Sequence, residues 1–134
     1  MPALAITTEI TVLGWSVVLL LVQIVLQAGT SADLGPAYLF SPRDEQREPR
    51  SLISRRLKRA LDNLLESYPA FVALALALTV TGKAGGIAAT GAWLYLAARV
   101  VYAILYAAGI PVIRTFIWMA SIVGLVMMLW RLMM

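Results

Sequence analysis

The chain has no cysteine and no histidine in 134 residues, and only 13% of its residues are charged. Without cysteine there is no disulfide framework and no thiolate nucleophile; with histidine also missing, a Cys/His zinc site is excluded. A histidine general base is excluded with it. Any catalysis must use arginine, tyrosine, serine or carboxylates, or a nucleophile carried in by the substrate. Apolar residues fill the space that charge leaves: 61% of the chain is hydrophobic, and its mean hydropathy is +0.85. Soluble domains lie nearer half apolar and a quarter charged, which excludes both a soluble globular domain and a disordered chain. The composition is that of an integral membrane protein.

A spanning helix needs about 20 apolar residues. The sequence offers four such stretches, at about 6–27, 57–81, 87–108 and 112–131, read as one membrane domain over 1–134. The expected fold class is all-α, a bundle of four transmembrane helices. The first stretch centres on Val17-Val18-Leu19-Leu20-Leu21-Val22 and carries only Glu9 as a charge. A signal peptide would have a basic leader and a shorter apolar region, so a retained span is expected. The second stretch has Lys58, Arg59, Asp62, Asn63 and Glu66 in its first half. Its purely apolar part, Pro69 to Val80, is too short to cross alone, so polar residues must enter the membrane with it. Gly82-Lys83-Ala84-Gly85-Gly86 reads as a tight turn. Gly109-Ile110-Pro111 reads as a break, with Pro111 in the first turn of the fourth helix.

Of 11 Lys and Arg residues, seven lie between the first span and the first turn of the second: Arg43, Arg47, Arg50, Arg55, Arg56, Lys58 and Arg59. The positive-inside rule then places a loop at about 28–56 in the cytosol and both termini outside. With a net charge of +4, this loop is read as facing anionic lipid headgroups rather than nucleic acid. Asp44, Glu45 and Glu48 alternate with its arginines as a solvated loop, not a metal site. Trp93, Trp118, Tyr95 and Trp130 are read as interfacial anchors or packing residues. Gln23 and Gln27, one turn apart, are read as an interhelical hydrogen-bonding pair.

An Arg or Asp at the centre of a span costs about 2.5–3.5 kcal/mol on insertion scales, so the polar residues here need a reason. An antiparallel hairpin of helices two and three about Ala84 brings Glu66 level with Tyr102, Asn63 with Leu105, and Asp62 with Tyr106. Arg99 then lies about 18 Å from the outer turn. Arg59, Asn63 and Glu66 share one helical face; Arg99, Tyr102 and Tyr106 share another. Such stripes must face protein or a water-filled cavity. Glu66 and Arg99 could be a buried pair that only fixes packing. The whole set, with Arg114 opening helix four, has donors in excess. It suits a ligand carrying carboxylates, with Glu66 left for an amine of the same ligand.

The segment Arg59-Ala60-Leu61-Asp62-Asn63-Leu64-Leu65-Glu66-Ser67-Tyr68-Pro69-Ala70-Phe71 resembles the signature of the MAPEG family, the membrane-associated proteins in eicosanoid and glutathione metabolism. That pattern is Arg-Ala, Asn four residues after the Arg, Glu three later, then Pro-x-Phe. Arg99-Val100-Val101-Tyr102 with Tyr106, Pro111 and Arg114-Thr115 resembles the family's second motif. Ser67 stands where some glutathione-binding members have tyrosine, and Gln27 ends helix one where many have a basic residue.

The resemblance implies a homotrimer of four-helix protomers, with glutathione as cosubstrate bound between neighbouring subunits near the cytosolic side and no metal. By position, Arg59 would pair with a glutathione carboxylate, while Asn63 and Glu66 would hold its polar and amine groups. Tyr102 and Tyr106 would line the same site, Arg99 would belong to the polar core or the ligand shell, and Arg114 would stabilise the thiolate. A bacterial-type member would sit in the inner membrane among lipids. The activity implied is that of a glutathione-dependent transferase or peroxidase on lipophilic electrophiles entering from the bilayer. The alternative is a non-catalytic lipid-binding or scaffold protein of the same fold. A channel or transporter is weaker, because the broken paired helices of transporters are missing.

Overall fold

The computed structural model describes residues 6–30 and 52–134. Arg43, Asp44, Glu45, Arg47, Glu48 and Arg50, the centre of the expected loop, lie outside the described residues. Among the described residues there are four helices: α1 Thr8–Thr30, α2 Leu52–Val80, α3 Ile87–Ala108 and α4 Val112–Met133. Each is long and apolar enough to cross a membrane, with mean hydropathy between 1.4 and 2.2 over its best stretch.

Helix α2 begins at Leu52, ahead of the expected start near 57, so Ser54, Arg55 and Arg56 are helical rather than part of a loop. The reason is periodicity. Ser54, Leu57, Ala60, Leu64, Tyr68, Phe71, Ala75 and Leu78 are its buried residues, spaced three or four apart along one unbroken stripe. Hydropathy drops in the first two turns, but the helical period does not. The helix also runs through Pro69, which removes the backbone bond to the Leu65 carbonyl.

Small residues set how closely α3 and α4 approach. Ala88 and Ala92 are fully buried. A Cβ placed on Gly91 would lie 2.6 Å from the carbonyl oxygen of Gly124, and one on Gly124 would lie 2.6 Å from that of Gly91. The two backbones touch, with no side chain between them. Phe71 of α2 stacks on Tyr95 of α3 with ring centroids 4.5 Å apart. Val12, Leu78 and Met128 complete the same core.

Helix α1 is tied on by polar contacts that a bilayer strengthens. The Ser16 and Tyr68 hydroxyls lie 2.9 Å apart, and those of Thr7 and Thr79 lie 2.8 Å apart. Glu9 is completely buried, and its Oε1 accepts the Gly85 N–H at 2.8 Å. The α2–α3 turn is clasped to the end of α4 as well: Lys83 Nζ donates to the Leu132 carbonyl at 2.8 Å, and Arg131 Nε donates to the Lys83 carbonyl at 3.0 Å. Gln23 is buried too, and among the described residues its Oε1 has no hydrogen-bond partner.

Glu9→Ala strands a partly buried backbone donor and is expected to destabilise the fold by about 1–3 kcal/mol. Glu9→Gln keeps the oxygen for Gly85 and should cost less. Thermal unfolding in detergent micelles checks the pair; equal losses would show that the Gly85 contact contributes little.

The outer faces carry Val17, Val18, Leu21, Ile104, Phe116, Val126 and Leu129, all exposed in the single chain. Apolar surface this continuous is untenable in water. It is the ordinary condition of a helix facing acyl chains or another apolar helix.

Candidate functional site

Three helices build one polar cleft of about 490 Å³. Helix α2 contributes Arg59, Asp62, Asn63 and Glu66, α3 contributes Tyr102 and Tyr106, and α4 contributes Arg114, Thr115 and Trp118. The α2 and α3 residues meet because each set repeats at three or four positions and thus holds one face.

The α4 residues arrive through the turn. Gly109 adopts the left-handed conformation (φ +77°) and ends α3, its N–H donating to the Tyr106 carbonyl at 3.0 Å. The Ile110 N–H reaches the Leu105 carbonyl, also at 3.0 Å. With the chain reversed this tightly, Arg114 returns over the last turn of α3, its guanidinium carbon 4.2 Å from the centre of the Tyr106 ring. Tyr106 packs in turn against Tyr102, with centroids 5.7 Å apart. Arg56 braces the turn from α2, Nη1 donating to the Ala107 carbonyl at 3.3 Å. A Cβ on Gly109 would run into that guanidinium at 2.7 Å.

Six of the seven residues singled out in the sequence therefore line one cleft: Arg59, Asn63, Glu66, Tyr102, Tyr106 and Arg114. Arg99 does not. It is 2% exposed and lies behind the wall, where its Nη2 donates to the Asn63 carbonyl (2.7 Å), Asn63 Oδ1 (2.9 Å) and Ser67 Oγ (3.2 Å). The Ser67 hydroxyl lies 2.9 Å from that of Tyr95. The Arg99 guanidinium carbon is 5.0 Å from the Tyr102 ring centre and 5.9 Å from that of Tyr95, distances at which the ring faces attract a cation.

The buried Glu66–Arg99 pair that the sequence left open is not formed. Among the described residues the only ion pair is Lys58 with Asp62, at 3.5 Å and solvent-exposed on both sides. Arg99 instead meets neutral oxygens of α2 and ring faces of α3, and its Nε and Nη1 have no hydrogen-bond partner among the described residues. Glu66 stays in the cleft wall, exposed.

Asp62, Thr115 and Trp118 line the cleft without having been expected there. Each had a signal. Asp62 is one turn from Glu66, Thr115 adjoins Arg114, and Trp118 lies one turn beyond Arg114, a stripe that its reading as an interfacial anchor obscured. Ser67 and Tyr95 supply the layer beneath. Among the described residues no group of three His, Cys, Asp or Glu side chains could hold a metal ion.

Four membrane-length helices among the described residues, three of them lining a polar cleft of two guanidiniums, two carboxylates, an amide and two phenols, define a multi-pass membrane protein with a pocket of mixed charge. The model of the MAPEG family matches residues 12–134, nearly the whole chain, and the chain belongs to that family. It is thus an integral, multi-pass membrane protein of a family that includes glutathione-dependent transferases and peroxidases. No individual curated protein and no solved structure matched it.

Proposed function

We propose that the cleft binds glutathione and that the protein is a glutathione-dependent transferase or peroxidase acting on lipophilic electrophiles. The observation that carries this reading is the convergence of Arg59, Asn63, Glu66, Tyr102, Tyr106 and Arg114 on a single pocket. Their chemistry matches a zwitterionic tripeptide. Arginines take carboxylates, ideally by two parallel bonds, and Glu66 takes the amine. Arg114 serves the sulfur: a cation beside a thiol favours its anionic, nucleophilic form. The missing cysteine fits, since the reactive sulfur comes with the cosubstrate.

In this reading the protein is a homotrimer in a bacterial inner membrane, with the α1–α2 connection in the cytosol and both termini outside. Arg59, Asp62 and Glu66 are exposed in the single chain, which leaves the cleft open on the side where a neighbouring subunit would close it.

Calorimetric titration of the detergent-purified protein with glutathione tests the proposal. Saturable binding is expected. Arg59→Ala and Glu66→Ala should each weaken it roughly 10- to 100-fold, since a hydrogen bond to a charged group is worth about 1.5–3 kcal/mol. Absence of binding by the wild-type protein would overturn the reading.

One observation favours a second function on the same fold. Trp15, Val18, Leu19, Val22, Trp93, Leu96 and Val100 line an almost wholly apolar groove of about 360 Å³ between α1 and α3. A non-catalytic lipid-binding protein would use that groove and leave the polar residues to packing. Arg59→Ala and Glu66→Ala would then reduce stability with no glutathione-dependent thermal shift to lose.

A further inference from the structure

Arg99 is the one ionisable residue of the set that never reaches the cleft, yet it touches a residue that does. Its Nη2 lies 2.9 Å from Asn63 Oδ1 and 2.7 Å from the carbonyl of the same residue. Guanidinium groups donate only. The atom facing Arg99 must therefore be the amide oxygen, because the flipped rotamer would set N–H against N–H. The choice is locked from behind: Ser67 Oγ also receives Nη2 at 3.2 Å and is itself 2.9 Å from the Tyr95 hydroxyl. Tyr95 is 1% exposed and stacked on Phe71. The bracket is thus built from two core aromatics, a serine and a buried cation, and none of these lines the cleft.

We infer that Arg99 is a positioning residue that holds the Asn63 carboxamide by its oxygen, so that Asn63 offers the cleft a hydrogen-bond donor. The consequence is a selection by ligand chemistry, and it rests on the glutathione reading only for the identity of the ligand. The N–H groups of Asn63 take an acceptor, a carboxylate or carbonyl oxygen, while its Oδ1 is already engaged by Arg99. The amine is left to Glu66 and Asp62, the two carboxylates of the wall. This divides roles that the sequence motif assigned jointly to Asn63 and Glu66.

Asn63→Asp separates the possibilities, because a carboxylate keeps both oxygens but has no N–H to offer. Two measurements are made at neutral pH on the full-length protein in detergent. In thermal unfolding without ligand, Asn63→Asp is expected to melt at or above the wild-type temperature, its carboxylate pairing with Arg99. In an Arg99→Gln background the same substitution should lower the melting temperature. Equal losses in both backgrounds would overturn the Arg99–Asn63 contact.

In glutathione titration, Asn63→Asp is expected to weaken binding at least about tenfold, because a polar site left mismatched rejects its ligand strongly. Arg99→Gln should weaken it as well, and Arg99→Lys, which also donates only, should restore most of the affinity. Unchanged or tighter binding by Asn63→Asp would show that Asn63 accepts from the ligand, and the inference would fall. Failure of the wild-type protein to bind glutathione would remove the transferase reading instead, while the unfolding comparison would still decide whether Arg99 fixes the amide.

Discussion

Arg114→Ala is expected to lower turnover with glutathione at neutral pH by roughly a hundredfold or more, the usual effect of removing one group that stabilises developing negative charge. A free thiol of this type titrates near about 8.5. The Arg114 guanidinium, held over the Tyr106 ring at 4.2 Å, would pull that value down by favouring the anion. Removing it lets the bound thiol return towards its solution value. The fraction of thiolate then falls about tenfold for each unit that the pKa rises above the working pH. The deficit should be greatest at neutral pH and shrink as pH passes about 8.5, where the thiol ionises unaided.

The measurement is kcat/KM against pH for wild type and variant. A loss of the same size at every pH would assign Arg114 to binding and not to thiolate formation. Wild-type rates in the variant would remove it from the mechanism altogether. Arg114→Lys should fall between, since lysine keeps the charge but cannot reproduce the planar group stacked on Tyr106.

Gly124→Ala is expected to destabilise the bundle despite replacing glycine with a better helix former. Helix propensity favours alanine by about 1 kcal/mol. Against that, the new methyl would lie 2.6 Å from the Gly91 carbonyl oxygen and 2.9 Å from the Tyr95 backbone nitrogen. Both are backbone atoms of a packed helix and cannot rotate aside, so α4 must move away from α3. Overpacking by even a small group costs about 1–3 kcal/mol, and here the separation also disturbs Met128, a core residue beside the same contact. A net loss of up to about 2 kcal/mol follows for alanine, and a larger one for Gly124→Val.

Gly14→Ala in α1 is the control. Nothing lies within 4 Å of its added methyl, so propensity acts alone and stability should hold or rise. Unfolding of all three variants in micelles gives the comparison; a stabilised Gly124→Ala would refute the backbone-to-backbone contact as the constraint.

The polar residues of α2 and α3 were legible as stripes because helical spacing puts every third or fourth residue on one face, whatever the neighbours do. Their convergence was legible because the short turn at Gly82–Gly86 leaves α2 and α3 no arrangement but an antiparallel hairpin. The start of α2 was not. A search for apolar runs ends where Arg55, Arg56 and Lys58 begin, although Ser54 and Leu57 carry the buried stripe back by another turn and a half. The place of Trp118 in the cleft was not legible for a similar reason: an aromatic near a membrane boundary reads as an anchor or a packing residue, and only the reversal at Gly109 brings its face onto the cleft.

By itself, the sequence determined the four apolar helices, the family resemblance and six of the nine side chains that line the cleft. The helices and the polar stripes follow from composition and periodicity, which act within a single helix, while the family and the place of Arg114 rest on the resemblance of two motifs. Tertiary structure alone decided which of two neighbouring cations, Arg99 or Arg114, meets the cleft and which is sealed behind it. It also decided that Arg99 is balanced by Asn63, Ser67 and two tyrosine rings in place of Glu66. Both outcomes depend on distances between helices, and those distances are set by the contact of Gly91 with Gly124 and the stacking of Phe71 on Tyr95, which no one-dimensional pattern records.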